Sequence, residues 1–462
     1  MNRIKITLED LFNLPGAVIY NPDNYRPVSA VSINSRDIPA NALFVAIKGD
    51  KFDGHLFIKD AVKNGARAVV INKNYLNKIT NINLPVITVP DTTIALGKIA
   101  GLWRKKLSTK IIAITGSAGK TSTKEILAQI LGEKFNLNKT IANNNNHIGV
   151  PLTILSTNNN NDVLVIELGS NHFGEIKYSA EIIQPDYALI TNIGDSHLEY
   201  FHNRNGVLKE KSALIQVTAS RNGMIFFNND DKLLNKYGLK FNNKITFAFK
   251  NKADFKGNII GYNDLGQAEI EISYAKKVLR FSLPLYGEQN AKNFLAAVSI
   301  AVKFGLTGEE IKSAVKKLVA VNKRLNVKFL KDFMLIDDTY NANPESMRSS
   351  LELLGKITAY GHKIAVLGDM FELGKNEIRL HKELYALIKK NHINSVFTIG
   401  SRMKHLASLS KKPNFEIKHF NSRNALKSFL IKNTFINSAI LVKGSRGMKM
   451  EEFVNAIEAG KM

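Results

Sequence analysis

Polarity along the chain alternates between short apolar runs and stretches of helical period. In the first hundred residues Val28–Ile33, Ala42–Ile47, Arg67–Ile71 and Val86–Val89 predict strands, with a helix at Leu56–Lys63 between two of them. The middle of the chain carries apolar runs at Ile111–Ile114, Val163–Ile166 and Asp186–Thr191, and helical patterns at Lys124–Leu131, from Lys209 and from Gly287. In the last of these helices Asn290, Asn293 and Ala297 recur at helical spacing. The final third continues the alternation. Met334–Ile336, Ile364–Leu367, Ser395–Ile399 and Ala439–Val442 read as strands, with helices from about Glu345 and through Leu380–Ile388. Strands alternating with helices predict α/β units built on mostly parallel sheets. At 462 residues the chain is too long for one core, and the pattern divides into domains at 1–105, 106–320 and 321–462.

One junction carries recognisable chemistry. The run Ile111–Ile114 stops at Thr115-Gly116-Ser117-Ala118-Gly119-Lys120-Thr121-Ser122, and a helix follows. Glycines let backbone N–H groups close around an anion, and the new helix adds partial positive charge. Lys120 would reach terminal phosphates and the Thr121 hydroxyl would hold Mg²⁺, which predicts ATP as co-substrate. The loop is shorter than the usual phosphate-binding form, because position 114 is Ile rather than Gly. A plain turn with Lys120 on the surface is the alternative.

Other candidates lie where strands run out into polar turns, a common place for ligand contacts. Glu167 ends an apolar strand where a parallel sheet places metal or water ligands, and His197 follows a second such strand. Read on its own, Lys211 is a solvated surface lysine. The run Asn143–Asn146 leads into a defined Ile-Gly-Val-Pro turn and offers amides that donate and accept, whereas Asn158–Asn161 reads as filler.

Composition narrows the class. Apolar content is 44%, ordinary for a globular protein, and zero cysteines exclude disulfides and cysteine-ligated metals. No long uncharged apolar run predicts a membrane span, and Glu9 with Asp10 argue against a secretory signal, so a cytoplasmic protein is expected. Net charge is +24, but the lysines are scattered and no nucleic-acid-binding signature stands out, so anionic substrates are favoured over nucleic acid.

Together these segments resemble the Mur ligases, the ATP-dependent amide-forming enzymes of peptidoglycan synthesis. The short loop Thr115–Thr121 is that family's form, and the resemblance runs from Asn34-Ser35-Arg36 to Lys443-Gly444-Ser445-Arg446. Glu167-Leu-Gly-Ser-Asn-His172, Asp338-Thr-Tyr-Asn-Ala-Asn-Pro344 and Leu367-Gly-Asp-Met-Phe-Glu-Leu-Gly374 point to members that join D-alanyl-D-alanine to UDP-N-acetylmuramoyl-tripeptide. The resemblance implies a domain for the UDP moiety, a central P-loop domain and a C-terminal Rossmann-like domain, in a monomer. It implies catalytic roles for Lys120, Glu167, His197 and Lys211, the last as a carbamate that joins Thr121, Glu167 and His197 around Mg²⁺. It places ATP on Thr115–Ser122 and on Asn290, Arg324, Asp338 and Asn341. It places the uridine diphosphate on Ser35, Arg36, Lys48, Gly49, Asp53, Gly54 and His55, and the reacting ends on Asn145, Asn146, Ser170 and Asn171. Gln289, Ala142, His147 and Asn34 depart from the family pattern. Another Mur-type or folylpolyglutamate synthase-like ligase, a nucleic-acid-stimulated ATPase and an inactive nucleotide-binding protein are the alternatives.

Overall fold

The computed structural model describes residues 4–79, 83–409 and 415–460. These residues build three α/β units around sheets of five, nine and six strands. The first sheet runs Val18–Tyr20, Val86–Val89, Ala66–Asn72, Ala42–Val45, Ala30–Ser32, parallel except at the Val18–Tyr20 edge. The helix expected at Leu56 starts as a 3₁₀ turn, Gly54–Phe57, because the Asp53 side chain accepts from the His55 amide; the α-helix is Ile58–Lys63.

The middle sheet is ordered Lys277–Tyr286, Gln267–Tyr274, Phe255–Tyr262, Lys244–Ala248, Met224–Asn228, Tyr187–Ile190, Lys110–Thr115, Val163–Glu167, Leu137–Lys139. Ile111–Ile114 are fully buried between two parallel neighbours, which is why this strand reads as an unbroken apolar run. The expectation of a mostly parallel sheet fails at one end, where Phe255–Tyr286 forms an antiparallel meander. The helix after the glycine turn spans Lys120–Leu131, four residues earlier than the apolar pattern predicts.

The third sheet runs Asn326–Leu330, Phe333–Asp338, Ser438–Lys443, His362–Gly368, Ser395–Ile399, Glu416–Phe420, parallel except for the first hairpin. The first and middle units share one core, in which Val45, Val70 and Ile87 belong to the same buried cluster as Ile111, Ala113 and Leu164. Helix Thr92–Arg104 bridges them. The buried Arg104 guanidinium donates to the carbonyls of Ile183 and Gln184, at 2.7 and 3.0 Å, and to Asp186 at 3.1 Å. The third unit docks more lightly. The polar ends of its strands face those of the middle sheet across a cleft.

Candidate active site

The cleft holds about 760 Å³ and is walled by the glycine loop, the Asn145–His147 segment, the Ser170–His172 turn, and strand-end residues of the third unit. Gly116 sits at φ +148°, and a Cβ there would lie 1.9 Å from Thr191 Oγ1, so only glycine lets the loop turn beside the neighbouring strand. Gly119, at φ +80°, precedes Lys120 and leads directly into the helix. The first amides of that helix have no acceptor within it, an arrangement that suits an anion at the helix start. Lys120 Nζ folds back to donate to the Gly116 carbonyl at 2.8 Å. Burial pushes this ammonium's pKa down, opposed by the Glu167 charge and reinforced by Arg324.

Glu167, 1% exposed, accepts from Thr121 Oγ1 at 2.7 Å and from Asn145 Nδ2 at 2.8 Å. Asn146 lines the cleft, but its side-chain oxygen already accepts the Gly149 amide at 2.8 Å and the Ile148 amide at 3.2 Å, at the start of helix Gly149–Leu155. Ser170 and Asn171 line the same wall, and the buried Ser170 hydroxyl has no partner among the described residues. The Asn158–Asn161 run is not filler, since Asn159 Oδ1 accepts the Ser108 amide at 2.9 Å and the turn braces the start of the central strand.

Lys211 departs most from its residue-level reading. It is 1% exposed rather than solvated, because helix Arg204–Ser220 turns this face inward. Among the described residues it forms no ion pair. Its pKa falls to about 7, chiefly through burial and then through the Lys120 charge, against the opposing carboxylates of Glu210, Glu167 and Glu175. His197, in left-handed backbone at φ +51°, places Nδ1 2.5 Å from Glu372 Oε2 of the third unit, at an angle poor for a hydrogen bond.

On the opposite wall Asn290 donates to the Tyr286 carbonyl at 2.9 Å, and Gln289 to Asn293 at 3.0 Å. The Arg324 guanidinium lies 3.9 Å above the Tyr340 ring. Asp338 accepts from Lys443 at 2.5 Å, from Ser350 at 2.6 Å and from the Leu325 amide at 3.1 Å. Asn341 accepts the Arg446 amide at 3.1 Å. Lys443 and Glu372 stand in segments that the sequence marks as motifs, but no residue-level signal gave either a task.

The residues expected to hold a uridine diphosphate do not line this cleft; Asp50 is the one contribution of their loop. Ser35 is buried, Arg36 is exposed, and Lys48 and Gly49 form a tight turn with Phe52 and Asp53. The Gly54 amide is bound to the Ile47 carbonyl at 2.8 Å. His55 has both ring nitrogens engaged, one at 2.6 Å from Asp53 and one accepting the Asn72 amide at 3.0 Å, and it stacks on Tyr75.

Among the described residues no three His, Asp or Glu side chains converge as a ready-made metal cage. The Thr121 hydroxyl and Glu167 carboxylate nevertheless form a pair of hard oxygen donors beside the loop, the chemistry that suits Mg²⁺.

Three family descriptions match in succession: "Mur ligase family, catalytic domain" over residues 27–104, "Mur ligase middle domain" over 114–301, and "Mur ligase, glutamate ligase domain" over 323–446. The chain belongs to the Mur ligase family. Among Mur ligases it is similar to the UDP-N-acetylmuramoyl-tripeptide–D-alanyl-D-alanine ligase of Buchnera aphidicola subsp. Baizongia pistaciae, at 37% identity over 98% of both chains. The ligase of the same name from Bacillus subtilis is 33% identical, again over 98% of both. The crystal structure of MurF from Acinetobacter baumannii superposes with a TM-score of 0.88 at 28% identity, covering 99% of this chain and all of that one. MurF ligase from Thermotoga maritima, solved in complex with ADP, gives 0.83 at 28% identity over 93% of this chain and 97% of that one.

Proposed function

We propose that this Mur ligase joins D-alanyl-D-alanine to UDP-N-acetylmuramoyl-tripeptide at the expense of ATP, through an acyl phosphate. The observation that carries the reading is end-to-end similarity to ligases of that name, 98% of both chains for the Buchnera and Bacillus proteins. On this reading the nine-stranded unit is the P-loop domain that holds ATP, the six-stranded unit the Rossmann-like partner, and the five-stranded unit the holder of UDP. Among the described residues no helix is long and apolar enough to cross a membrane.

The chemistry follows from what the residues can stabilise. A carboxylate resists nucleophiles because it is already negative, and phosphorylation gives it a leaving group. Lys120 and the first amides of helix Lys120–Leu131 hold the transferring phosphoryl group, where positioning and charge carry most of the catalysis. Thr121 and Glu167, with His197 and a carbamylated Lys211, would hold Mg²⁺, which when bound neutralises charge on the phosphates. Asn290, Arg324, Asp338 and Asn341 take the nucleoside end. Asn145, Asn146, Ser170 and Asn171 orient the peptide carboxylate. Ser35, Arg36 and the Lys48–His55 loop take the uridine diphosphate. The dipeptide amine then attacks the acyl phosphate and phosphate leaves.

The test is ADP release with UDP-N-acetylmuramoyl-tripeptide, with and without D-alanyl-D-alanine, against single amino acids and glutamate. Sustained turnover is expected only with the dipeptide, and Lys120→Ala should lose ADP release and ligation together. Ligation that persists in Lys120→Ala would refute the role of the loop.

A further inference from the structure

Most carboxylates along the cleft are already committed to neighbours. Asp338 is held by Lys443, Glu167 by Thr121 and Asn145, Asp195 by Arg204, and Glu175 by the amides of Asn171 and His172. Glu372 differs. It lies in the loop after strand His362–Gly368, lines the cleft, and its side chain is 42% exposed. Among the described residues no lysine or arginine pairs with it; its close side-chain contact is the imidazole of His197 in the middle unit, at 2.5 Å.

Two further features show that the meeting is built. Glu372 and His197 both hold left-handed backbone, at φ +61° and +51°, a conformation that non-glycine residues rarely adopt. The Glu372 carbonyl also accepts the Glu199 amide at 3.3 Å, so backbone and side chain are fixed against the same middle-unit turn. That turn touches the phosphate loop directly, with Ser196 Oγ 2.9 Å from Ser117 Oγ. The third unit therefore delivers a carboxylate without a basic partner of its own to the residue beside the phosphate loop.

We propose that Glu372 is the binding residue for the primary ammonium of the incoming dipeptide, exchanging its imidazole contact for that cation. The assignment rests on the ligase reading above. A charge-assisted contact of this kind is short and directional, and would align the nitrogen with the activated carboxyl before its proton is lost. A primary amine on the third residue of the tripeptide carries the same chemistry, and the two sources separate by which substrate feels the change.

The experiment compares wild type, Glu372→Gln and Glu372→Asp in two reactions: ligation with D-alanyl-D-alanine, and trapping of the acyl phosphate by hydroxylamine without dipeptide. Hydroxylamine is small and largely uncharged at neutral pH, so it does not need an ammonium site. For Glu372→Gln the expected result is a rise of about tenfold or more in KM for the dipeptide, with the ratio of ligation to hydroxamate formation falling by a similar factor. Glu372→Asp should recover part of both. An unchanged dipeptide KM overturns the proposal, as does a rise confined to the tripeptide KM. Parallel loss of ligation and hydroxamate also overturns it, because Glu372 would then act on activation through His197. If wild type neither forms hydroxamate from tripeptide and ATP nor joins the dipeptide to the tripeptide, the ligase reading itself fails, an outcome distinct from the others.

Discussion

Lys211 offers the sharpest test of the site, because its burial makes a numerical demand. A lysine normally titrates at 10.5, and here it is brought to about 7. At pH 7.5 the side chain is then roughly three-quarters neutral, against about one part in a thousand for an exposed lysine. Only the neutral amine attacks CO₂, so the structure raises the reactive fraction several-hundredfold. Labelled bicarbonate should therefore produce one protein carbamate resonance in ¹³C NMR at pH 7.5–8, absent from Lys211→Met. The same shift has a stability consequence in the absence of CO₂. Between pH 7 and 10.5 the unfolded chain keeps a proton that the folded chain has lost, so stability rises with pH across that window. Below pH 7 the penalty for the buried cation is complete and corresponds to roughly 5 kcal/mol. Urea melts should find Lys211→Met more stable than wild type at pH 6, with the advantage shrinking steadily above pH 7. No carbamate signal at saturating bicarbonate, together with a pH-independent difference between the two proteins, would refute the reasoning.

Two other perturbations test the third unit. Lys443→Met leaves the buried Asp338 carboxylate with only Ser350 and the Leu325 amide, and should cost roughly 3–5 kcal/mol, read by calorimetry as a lowered melting transition. Adding Asp338→Asn should restore part of that loss; no restoration would mean the pair is not the cause. Glu345→Ala removes the acceptor for the Asp195 amide and for Arg204, at 2.9 and 3.0 Å across the cleft, and should weaken docking of the third unit by about 1–2 kcal/mol. Fluorescence transfer between labels on the middle and third units reports it, and an unchanged distance distribution would contradict the latch.

How much could be read in advance depended on how burial writes itself into sequence. Strands Val86–Val89 and Ser395–Ile399 agree with their expected bounds because each lies between two neighbouring strands and carries little polar interruption. The antiparallel meander did not announce itself. Its strands are half exposed, and a register shift between Ile259 and Gly261 breaks the period of two. Lys211 was illegible for a different reason. Glu210, Lys211 and Ser212 are consecutive polar residues, all buried, so the helix shows no apolar face there. Their burial is imposed by other elements, as when Glu210 accepts the amides of Gly174 and Ile176, both at 2.7 Å. The meeting of Glu372 with His197 is likewise a tertiary event that no local spacing encodes.

The hydrogen bonds that join the third unit to the glycine loop and to the Asp195–Arg204 turn share one character. Asn343 donates to the Ser117 carbonyl at 3.3 Å, Glu345 accepts from Asp195 and Arg204, and the Glu372 carbonyl accepts from Glu199. All are polar, and a single hydrogen bond of this type contributes only about 1 kcal/mol net. The shared apolar core that fixes the first unit to the middle one has only a small counterpart here: among the described residues the third unit's buried clusters take in Tyr286 and the partly buried Leu265 of the middle unit. A joint made largely of exchangeable polar contacts, with Lys356 on Glu288 and Tyr262 and Thr358 on Asp264 beside those above, opens and closes at lower cost than one welded by buried leucines. An acyl phosphate needs water excluded while it exists, and products need a way out afterwards, so a polar hinge face beside a rigid two-domain body suits the chemistry.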